Sequence, residues 1–517
     1  MTALKKFKIV DCLKLFSSSP KLVLPVSVEE MEFDRCDITG KQLSNLMSSL
    51  PFLKIVKVQY CEGIKCLSVG MLVDAHSTME EGLWDIPPSS LVTLEKLDIS
   101  LSDIRFCSKN GLGELGSLKG IVIWKCPMLL SSMVSEAASM VPGPSLLPPS
   151  LLKFDITDMV DALLARSKLA SLAELCIGTS RLLISLNVCS CTALQKLKIE
   201  KCDQLQSIEG LQSLTLLAKL EISSCSKLKS VQLNLCTSLE KLNIDGCDAL
   251  RTLEGSGSLI SLKEVLISTN PVLSYVELHS CWALENLCIR KCPALATWQG
   301  FRSLTGIKSL QVSESPGFVS AWKSAGEEMM SEGHYSFWMP LECLDIDDID
   351  VLSMPICRQI TSLESLKIRG VLYTTAGSDK VDSLLEHHEQ ALQLLTSLKE
   401  LTLWQFEHLE SLPSKIHGLQ SLQRLTISEC PCLESLPSKI HALPSLQRLT
   451  INECPSLTSL PEEGLPRSLM EMDLIRGTVE LDALCRSIWK DAHFRLYINK
   501  VEHLGAPAPH SVEAQLE

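Results

Sequence analysis

The chain has 517 residues, 45% of them apolar and only 5% aromatic, and its formal net charge is −13. This charge argues against a nucleic-acid-binding protein, because wrapping a phosphate backbone requires a basic face. No run of about 18 apolar residues occurs, and the alternating N-terminus MTALKKFKIVDCLKLF lacks the apolar stretch of a signal peptide, so we expect no membrane span and a cytoplasmic or nucleocytoplasmic location.

A short apolar motif recurs along the chain. Its clearest copy begins at Ser421, where SLQRLTISECPCLESL is followed 24 residues later by SLQRLTINECPSLTSL, identical at 13 of 16 positions. Both copies follow L-x-x-L-x-I-x-x-C-x-x-L, which is typical of leucine-rich repeats of about 20 to 29 residues. The alternating apolar side chains predict a short strand with one side inward and the other toward solvent. One such unit cannot bury its own apolar side, so we expect stacked units that share a core.

About twenty strands are predicted when the second strand leucine of the motif, here called the anchor, is followed in chain order. The anchors are Phe7, Met31, Val56, Leu97, Ile121, Phe154, Leu175, Leu197, Leu220, Leu242, Val265, Leu287, Leu310, Leu344, Leu366, Leu401, Leu425, Leu449, Met472 and Leu496. The predicted fold is an α/β leucine-rich-repeat solenoid, a horseshoe or arc with a parallel β-sheet on its concave face and an irregular convex side. With strands about 4.8 Å apart, this sheet would extend on the order of 90 Å, enough to hold a protein partner.

Residues 1–500 are predicted to form the solenoid and residues 501–517 a flexible C-terminal tail. The anchor spacing widens at four places, which predicts insertions. They lie near residues 66–90, 129–150, 315–340 and 371–395. The fourth insertion has helical spacing after Ser378, and we interpret it as an amphipathic helix on the convex side.

The third insertion concentrates aromatic residues. They are Phe318, Trp322, Tyr335, Phe337 and Trp338. One interpretation is that these rings pack the insertion onto the solenoid. The other is that they form an anchor cluster for a protein partner, because buried aromatic residues dominate interface energetics.

Many of the 22 cysteines occupy one position of the repeat, five residues after the anchor. They are Cys12, Cys36, Cys61, Cys126, Cys202, Cys225, Cys247, Cys292, Cys430 and Cys454, with Asn270 at the same position after Val265. At this position a side chain turns inward and donates weakly to backbone carbonyls at the strand-to-loop bend. We therefore expect a column of free, unreactive thiols and not a disulfide scaffold or a metal site. The absence of Asn-x-Ser/Thr sequences also favours a reducing compartment.

Two charged motifs resemble metal sites only in part. His387, His388 and Glu389 resemble the start of a zinc-protease helix, but Leu392 stands where the second histidine is needed. The acidic run from Asp345 to Asp350 lacks the glycine of a calcium loop, and we expect a solvated strand face there.

A Gly-x-Gly-x-x-Gly string within residues 111–116 is not followed by a βαβ unit, so we interpret it as a turn. No catalytic set of side chains is recognisable either. The sequence predicts a binding protein without enzymatic activity, cofactor or metal.

The residues beside the inward leucines are predicted to face the concave side and to form a charge-patterned surface. Its first part is a basic strip at Lys196, Lys198, Lys219 and Lys241. Trp and Arg supply much of the energy of protein interfaces, and alternating charges reject wrong partners. The candidate partner-binding residues are Trp124, Arg290, Trp322, Trp338, Asp345, Asp347, Lys367, Arg369, Trp404, Arg424 and Arg448.

The segment LESLPSKIHGLQSLQRLTISECPCLESLPSKIHALPSLQRLTINEC, residues 409–454, resembles the C-terminal repeats of plant nucleotide-binding leucine-rich-repeat (NLR) disease-resistance proteins of the coiled-coil type. The specific part is the phrase C-P-x-L-x-S-L-P. Looser versions, such as Cys126-Pro127 and Cys292-Pro293, extend the resemblance over roughly residues 1–500.

The resemblance implies a protein-recognition surface that senses a pathogen effector or a guarded host protein and holds a nucleotide-binding module inactive. This chain contains neither the coiled coil nor the nucleotide-binding module, so we expect a truncated or dissected receptor. One alternative is the substrate-recognition repeat region of a ubiquitin-ligase adaptor, for which no N-terminal adaptor helix is evident. Another is an extracellular receptor ectodomain, which the lack of a signal peptide and of glycosylation sites disfavours.

Overall fold

Two units make up the protein, the N-terminal unit, Met1–Cys281 with Cys292–Leu295, and the C-terminal unit, Trp282–Lys291 with Ala296–Glu517. The computed structural model of the protein describes residues 4–18, 22–69, 81–101, 103–107, 111–138, 145–157, 160–165, 167–331, 340–354, 357, 360–370, 386–489 and 494–503. Among these residues, no helix combines the length and the apolar character that a membrane crossing requires.

The N-terminal unit consists mainly of short strands. They are β1 (Lys6–Val10), β2 (Glu30–Asp34), β3 (Ile55–Gln59), β4 (Cys66–Val69), β5 (Leu83–Ile86), β6 (Lys96–Ser100), β7 (Arg105–Phe106), β8 (Gly120–Ile123), β9 (Lys153–Ile156), β10 (Glu174–Gly178), β11 (Ser185–Asn187), β12 (Lys196–Glu200), β13 (Ser207–Glu209), β14 (Lys219–Ser223), β15 (Ser230–Gln232), β16 (Lys241–Asp245), β17 (Thr252–Glu254), β18 (Glu264–Ser268) and β19 (Tyr275–Glu277). Its helices are α1 (Leu15–Ser18), α2 (Gly40–Ser48), α3 (Pro127–Ala138) and α4 (Val160–Ala165), with 3₁₀ helices at Pro88–Ser90, Leu211–Ser213 and Ser256–Ser258.

The C-terminal unit has the same kind of elements. Its strands are β20 (Asn286–Arg290), β21 (Thr297–Gln299), β22 (Ser309–Ser313), β23 (Cys343–Ile346), β24 (Ser365–Arg369), β25 (Glu400–Trp404), β26 (Arg424–Ser428), β27 (Arg448–Asn452), β28 (Glu471–Ile475), β29 (Arg495–Ile498) and β30 (Val501–His503). Its helices are α5 (Gly317–Ser331), α6 (Glu386–Gln393) and α7 (Val479–Trp489), with 3₁₀ helices at Phe301–Ser303, Ile349–Ser353, Ile416–Gly418 and Ser438–Ala442.

Each unit contains a main sheet in which successive repeats contribute neighbouring parallel strands. The order is β1-β2-β3-β6-β8-β9-β10-β12-β14-β16-β18 in the N-terminal unit. It is β20-β22-β23-β24-β25-β26-β27-β28-β29 in the C-terminal unit. All predicted anchors lie at the second position of these strands, and within each unit anchors pair with anchors, as Leu425 does with Leu449. The predicted leucine-rich-repeat solenoid fold is confirmed.

Alternate strand positions separate the core from the surface. The anchor Leu220 and the apolar residue two positions later, Ile222, are both 0% exposed, whereas the positions between and beside them reach solvent. Full burial of such a side chain stabilises the fold by about 2 kcal/mol. Each repeat therefore depends on the neighbouring repeats to cover its leucines.

The residue four positions after the anchor has a left-handed backbone in most repeats. Lys201, Ser224 and Glu429 have φ values of 55°, 53° and 55°. This conformation costs an ordinary residue on the order of 1 kcal/mol. In this conformation the N–H of the residue donates a hydrogen bond to the next strand. Lys201 donates to the carbonyl of Ser223 at 2.9 Å, and Glu429 donates to the carbonyl of Asn452 at 2.8 Å.

The alternating repeat lengths between Leu175 and Leu310 correspond to two kinds of outer segment. In one kind, a left-handed glycine opens a 3₁₀ helix, as Gly210 and Gly255 do with φ values of 84° and 75°. In the other, a buried cysteine donates to the neighbouring repeat, as Cys236 does to the Leu211 carbonyl at 3.4 Å. A side chain at Gly210 would place its Cβ 2.6 Å from the Cys189 nitrogen, so glycine is required there.

The predicted insertions contain regular structure that the sequence analysis does not specify. In the first, β4 pairs with β5 and β7, and Cys66 is disulfide-bonded to Cys107. The second and third contain α3 and α5, and the fourth contains α6. The predicted start of the fourth helix near Ser378 lies outside the described residues.

The end of the chain differs from the predicted tail in one detail. Val501–His503 form β30, which pairs antiparallel with β29, so these residues belong to the sheet. Residues 504–517 of the predicted tail lie outside the described residues.

Candidate protein-binding face

The outward strand positions of β20 to β29 form the surface that we call the C-terminal face. Because the strands pair in register, outward residues of neighbouring repeats lie side by side across this face. Arg290, Asp345, Lys367, Arg369, Trp404, Arg424 and Arg448 all belong to it. The alternation in the sequence therefore predicts residues that the fold brings to one sheet face.

Trp404 is the aromatic centre of the C-terminal face. It is half-buried at the end of β25 and pairs with Arg369 of β24. The guanidinium carbon of Arg369 lies 4.1 Å from the centroid of the indole, and Nζ of Lys367 lies 4.5 Å from it. Such cation–π contacts are worth about 0.5–1 kcal/mol at exposed sites. They hold the ring in a fixed orientation, which lowers the entropic cost of using it as an anchor.

Charged side chains of the C-terminal face are linked across several strands. Arg290 donates to Gln311 at 2.6 Å and to Asp345 at 3.3 Å. Arg369 donates to Glu314 at 3.3 Å. Each arginine is thus oriented by a partner one or two repeats away, and the outer parts of both side chains remain accessible.

Arg424 and Arg448 occupy equivalent outward positions and are each paired with a glutamate. Arg424 bonds Glu400 and Arg448 bonds Glu471, in both cases across one strand pair. The side chains of the two arginines are about half exposed, at 52% and 49%. Exposed pairs of this kind add little stability, so a partner can displace them at low cost.

Asp347 does not lie on a solvated strand face as predicted. Its carboxylate accepts the backbone N–H of Glu314 at the strand-to-loop bend. Burial raises the pKa of Asp347 above its ordinary value of 3.8. The neighbouring Asp348 accepts from the N–H of Asp350, so within the acidic run the prediction of a strand-face role fits Asp345 alone.

Trp322 is not a surface anchor, which corrects its place among the candidate binding residues. Its side chain is 0% exposed and packs edge-on against Phe301 and beside Phe318, with ring centroids 5.9 and 5.3 Å apart. These rings attach α5 to the repeat before it, in agreement with the packing interpretation. Tyr335, Phe337 and Trp338 lie outside the described residues.

In the N-terminal unit, Trp124 is 45% exposed at the end of β8. A Cβ built on Gly178, two strands away, would be 3.8 Å from the indole, so the ring extends across the sheet toward a position without a side chain. The predicted basic strip of this unit is largely neutralised by ion pairs. Lys198 pairs with Glu200, Lys219 with Glu221 and Lys241 with Glu264.

A groove of about 480 Å³, which no motif in the sequence predicts, runs along the loop edge of the C-terminal face. Its lining residues are Gln405, Glu407, Glu429, Pro431, Glu453, Pro455 and Arg476. Gln405, Glu429, Glu453 and Arg476 share the position four residues after an anchor, where the backbone is left-handed. That spacing is the signal in the sequence that would have identified them.

The predicted cysteine positions form a column of buried thiols in each unit. All ten are free, and all but the half-buried Cys12 are buried. Cys126 donates to the carbonyls of Trp124 and Ile99 at 3.2 and 3.6 Å, as expected for the bend position. Hydrogen bonds with the thiols of Cys202 and Cys247, together with burial, raise the pKa of Cys225.

Asn270 occupies the same position with stronger bonds. Its amide donates to the carbonyls of Ser268 and Ile244 at 2.7 and 3.2 Å and accepts the N–H of Cys247 at 3.1 Å. Cysteine and asparagine thus donate to equivalent backbone carbonyls at the bend.

Comparison with known proteins supports the repeat assignment over part of the chain. A family model described as "Plant disease resistance protein RPS2-like, leucine-rich repeats" matches residues 323–455, about a quarter of the chain. This segment contains Asp345, Lys367, Arg369, Trp404 and most of the repeats that carry the C-terminal face. No curated protein sequence is detectably similar to the chain.

Several solved structures have similar repeats at low identity. A leucine-rich-repeat protein of Leptospira interrogans is 14% identical over 92% of both chains, with a TM-score of 0.43. The mouse RP105/MD-1 complex is 14% identical over 90% of this chain and 75% of that chain, with a TM-score of 0.40. The functional domain of InlJ from Listeria monocytogenes, described as including a cysteine ladder, is 14% identical over 75% of this chain and 69% of that chain, with a TM-score of 0.35. At these values none of the three bears on function.

Proposed function

We propose that the C-terminal face binds a protein ligand, with Trp404 as its central anchor. The observation that carries this proposal is the indole of Trp404 in cation–π contact with both Lys367 and Arg369 of the neighbouring strand, on an accessible sheet face. Trp and Arg are the residues most enriched at energetic centres of interfaces, and here both are oriented before binding. Binding, and not catalysis, is the proposed activity.

We further propose that this recognition serves an intracellular plant immune receptor of the NLR type, in the cytoplasm or nucleus. The match to plant disease-resistance repeats over residues 323–455 supports this, because the matched segment includes the anchor cluster. The proposed ligands are a pathogen effector or a guarded host protein. In a receptor that also has a nucleotide-binding module, the repeats would additionally contact that module and hold it inactive.

The test is a binding screen of the purified chain against secreted pathogen effectors and candidate host proteins, followed by biolayer interferometry on each hit. We expect Trp404→Ala to weaken the cognate partner at least tenfold, because about 1.4 kcal/mol or more of anchor energy is lost. Trp282→Ala is the matched control, since Trp282 is 56% exposed in the same unit but lies outside the strands of the main sheet. Equal affinity of Trp404→Ala and the unaltered chain would reject the proposed anchor.

A further inference from the structure

Two motifs that fail as metal sites in the sequence come together in the fold. The acidic run ends at Asp350, in the 3₁₀ helix Ile349–Ser353, and the histidine pair His387–His388 lies in the first turn of α6. The oxygen of Asp350 and the ring nitrogens of both histidines lie within 4.8 Å of one another. Among the described residues, this is the group of side chains whose donor atoms converge in this way.

We propose that Asp350, His387 and His388 form a zinc-binding site that fastens α6 to the preceding repeat. Two imidazole nitrogens and one carboxylate oxygen are a donor set that suits Zn²⁺, with a fourth position left for water. The proposal is independent of the proposed function, because these residues are not outward strand positions of the C-terminal face.

The geometry of the three side chains supports this donor set. Nε2 of His388 lies 2.9 Å from Oδ1 of Asp350, and the two imidazole rings have centroids 4.0 Å apart. Ligands of a tetrahedral zinc ion at about 2.0–2.2 Å from the metal are separated by roughly 3.3 Å. His387 is exposed, so rotation of its side chain can close the remaining gap.

The exposure of the three side chains is compatible with metal binding. The side chain of His388 is 2% exposed, which fixes one ligand in the protein. Asp350 is 57% exposed and His387 is also exposed, so a metal ion can enter from solvent. The backbone of Asp350 is oriented by its N–H bond to Asp348 at 3.0 Å.

The neighbouring Glu389 is engaged elsewhere and is not a ligand of the site. It accepts from the backbone N–H and the hydroxyl of Ser414 at 2.8 and 3.3 Å, on the side of the next repeat. Helix α6 is therefore held on one side by Glu389, and zinc would hold it on the other through Asp350. In this arrangement the ion links α6 to the 3₁₀ helix Ile349–Ser353.

The experiment is a calorimetric titration of the untagged, chelator-treated full chain with ZnCl₂. We expect one site whose affinity falls at least tenfold in His387→Ala and in Asp350→Asn. Both substitutions alter exposed side chains, and asparagine keeps an oxygen that can accept from His388. His441→Ala is the matched control, because His441 is exposed and its Nδ1 lies 2.9 Å from the carbonyl oxygen of the nearby Ser438. The control should bind zinc like the unaltered chain.

Two further readouts distinguish this site from binding by exposed thiols. Co²⁺ should give the visible absorption of a tetrahedral complex in the unaltered chain and lose it in the double variant His387→Ala/Asp350→Asn, which keeps every cysteine. Zinc should also slow amide exchange in residues 386–393 of the unaltered chain alone. The proposal is overturned by absence of zinc binding, or by affinity that is unchanged in the double variant.

Discussion

The bend residue at the end of most main-sheet strands shows how one position combines a backbone requirement with a buried side chain. The residue before it adopts a left-handed φ, and the bend residue itself then turns inward to cover the carbonyls of the turn. Cysteine meets this need with a small apolar body and a weak donor, and Asn270 meets it with three hydrogen bonds. The thiols are therefore structural.

This role predicts a sharp division of cysteine reactivity. Burial raises the pKa of Cys61 to about 12 and that of Cys126 to about 11, so their thiolate fractions at pH 8 are on the order of 10⁻³ or less. Peptide mass spectrometry after iodoacetamide treatment of the native chain should find Cys189 and Cys432 labelled, because both are exposed. Labelling of Cys61 as fast as that of Cys432 would contradict the buried column.

A second prediction at this scale concerns the half-buried carboxylate of Asp347. Its pKa is raised in the folded state, so its ionised form costs stability above the folded pKa, and this cost disappears as the pH falls below 3.8. Asp347→Asn removes the charge and keeps an oxygen for the Glu314 N–H. Urea unfolding should show a more stable variant at pH 7 and a smaller difference near pH 4. Asp345→Asn, which alters an outward residue bonded to Arg290, should show no such gain, and a less stable Asp347→Asn at pH 7 would refute the argument.

At the scale of single elements, the aromatic cluster explains how a helical insertion is held on a strand-based scaffold. Trp298, Phe301, Phe318 and Trp322 form one cluster, in which Trp322 contacts Phe301 and Phe318, and the ring centroids of contacting pairs are 5.3–6.1 Å apart. Aromatic pairs at such distances add about 0.5–1.5 kcal/mol beyond area burial. Helix α5 is thus attached by packing and not by its chain connection alone.

Loss of the buried Trp322 ring, which lies on the helix itself, should detach this helix. Trp322→Ala should lower the free energy of unfolding by about 3–5 kcal/mol, because a large buried side chain is replaced by a cavity. Hydrogen exchange should accelerate in residues 317–331 and 301–303. The exposed Trp282 provides the comparison, since Trp282→Ala should change stability by no more than about 0.5 kcal/mol. Equal effects of the two substitutions would mean that the cluster does not hold α5.

The sequence predicts the main strands well because their apolar residues recur at regular intervals along the chain. Each anchor is buried by the same pairing, so Leu425 and Leu449 can be recognised without knowledge of the fold. The insertions break the period, and their contents, such as the small sheet of β4, β5 and β7, depend on pairings that no spacing encodes.

The candidate site was predictable only in outline for the same reason. Outward positions follow from the alternation, which placed Trp404 and Arg369 on one face. Whether a side chain is free, paired or buried depends on its neighbours in other repeats. Trp322 was therefore misplaced as a surface anchor, and the approach of Asp350 to His388 joins residues 38 positions apart.

At the scale of the whole molecule, the free energy of unfolding is expected to be roughly a sum of contributions from the single repeats and from the interfaces between them. The near-identical repeats at β26 and β27 allow this to be tested, because both begin with an arginine facing a glutamate, Arg424 with Glu400 and Arg448 with Glu471. Deletion of residues 424–447 places β27 beside β25 and keeps an arginine opposite both glutamates.

We expect this 24-residue deletion to fold with an unchanged type of circular dichroism spectrum and a modestly lower unfolding midpoint. Deletion of residues 424–435, half a repeat, should instead unfold the surrounding strands, because the remaining segments no longer supply one strand per turn. Thermal unfolding followed by circular dichroism compares the two. Similar loss of structure in both variants would show that the stack does not behave as a sum of repeats.

The alternation of inward and outward positions has a consequence for how such a molecule can change over generations. In β25, the side chain of Leu403 is buried in the core, whereas that of its neighbour Trp404 reaches solvent. The same alternation holds on each adjoining strand. Outward substitutions away from special contacts alter folding energy by only about 0.5 kcal/mol. The outward residues can therefore be substituted one at a time during evolution. New ligands can be acquired in this way without loss of the fold.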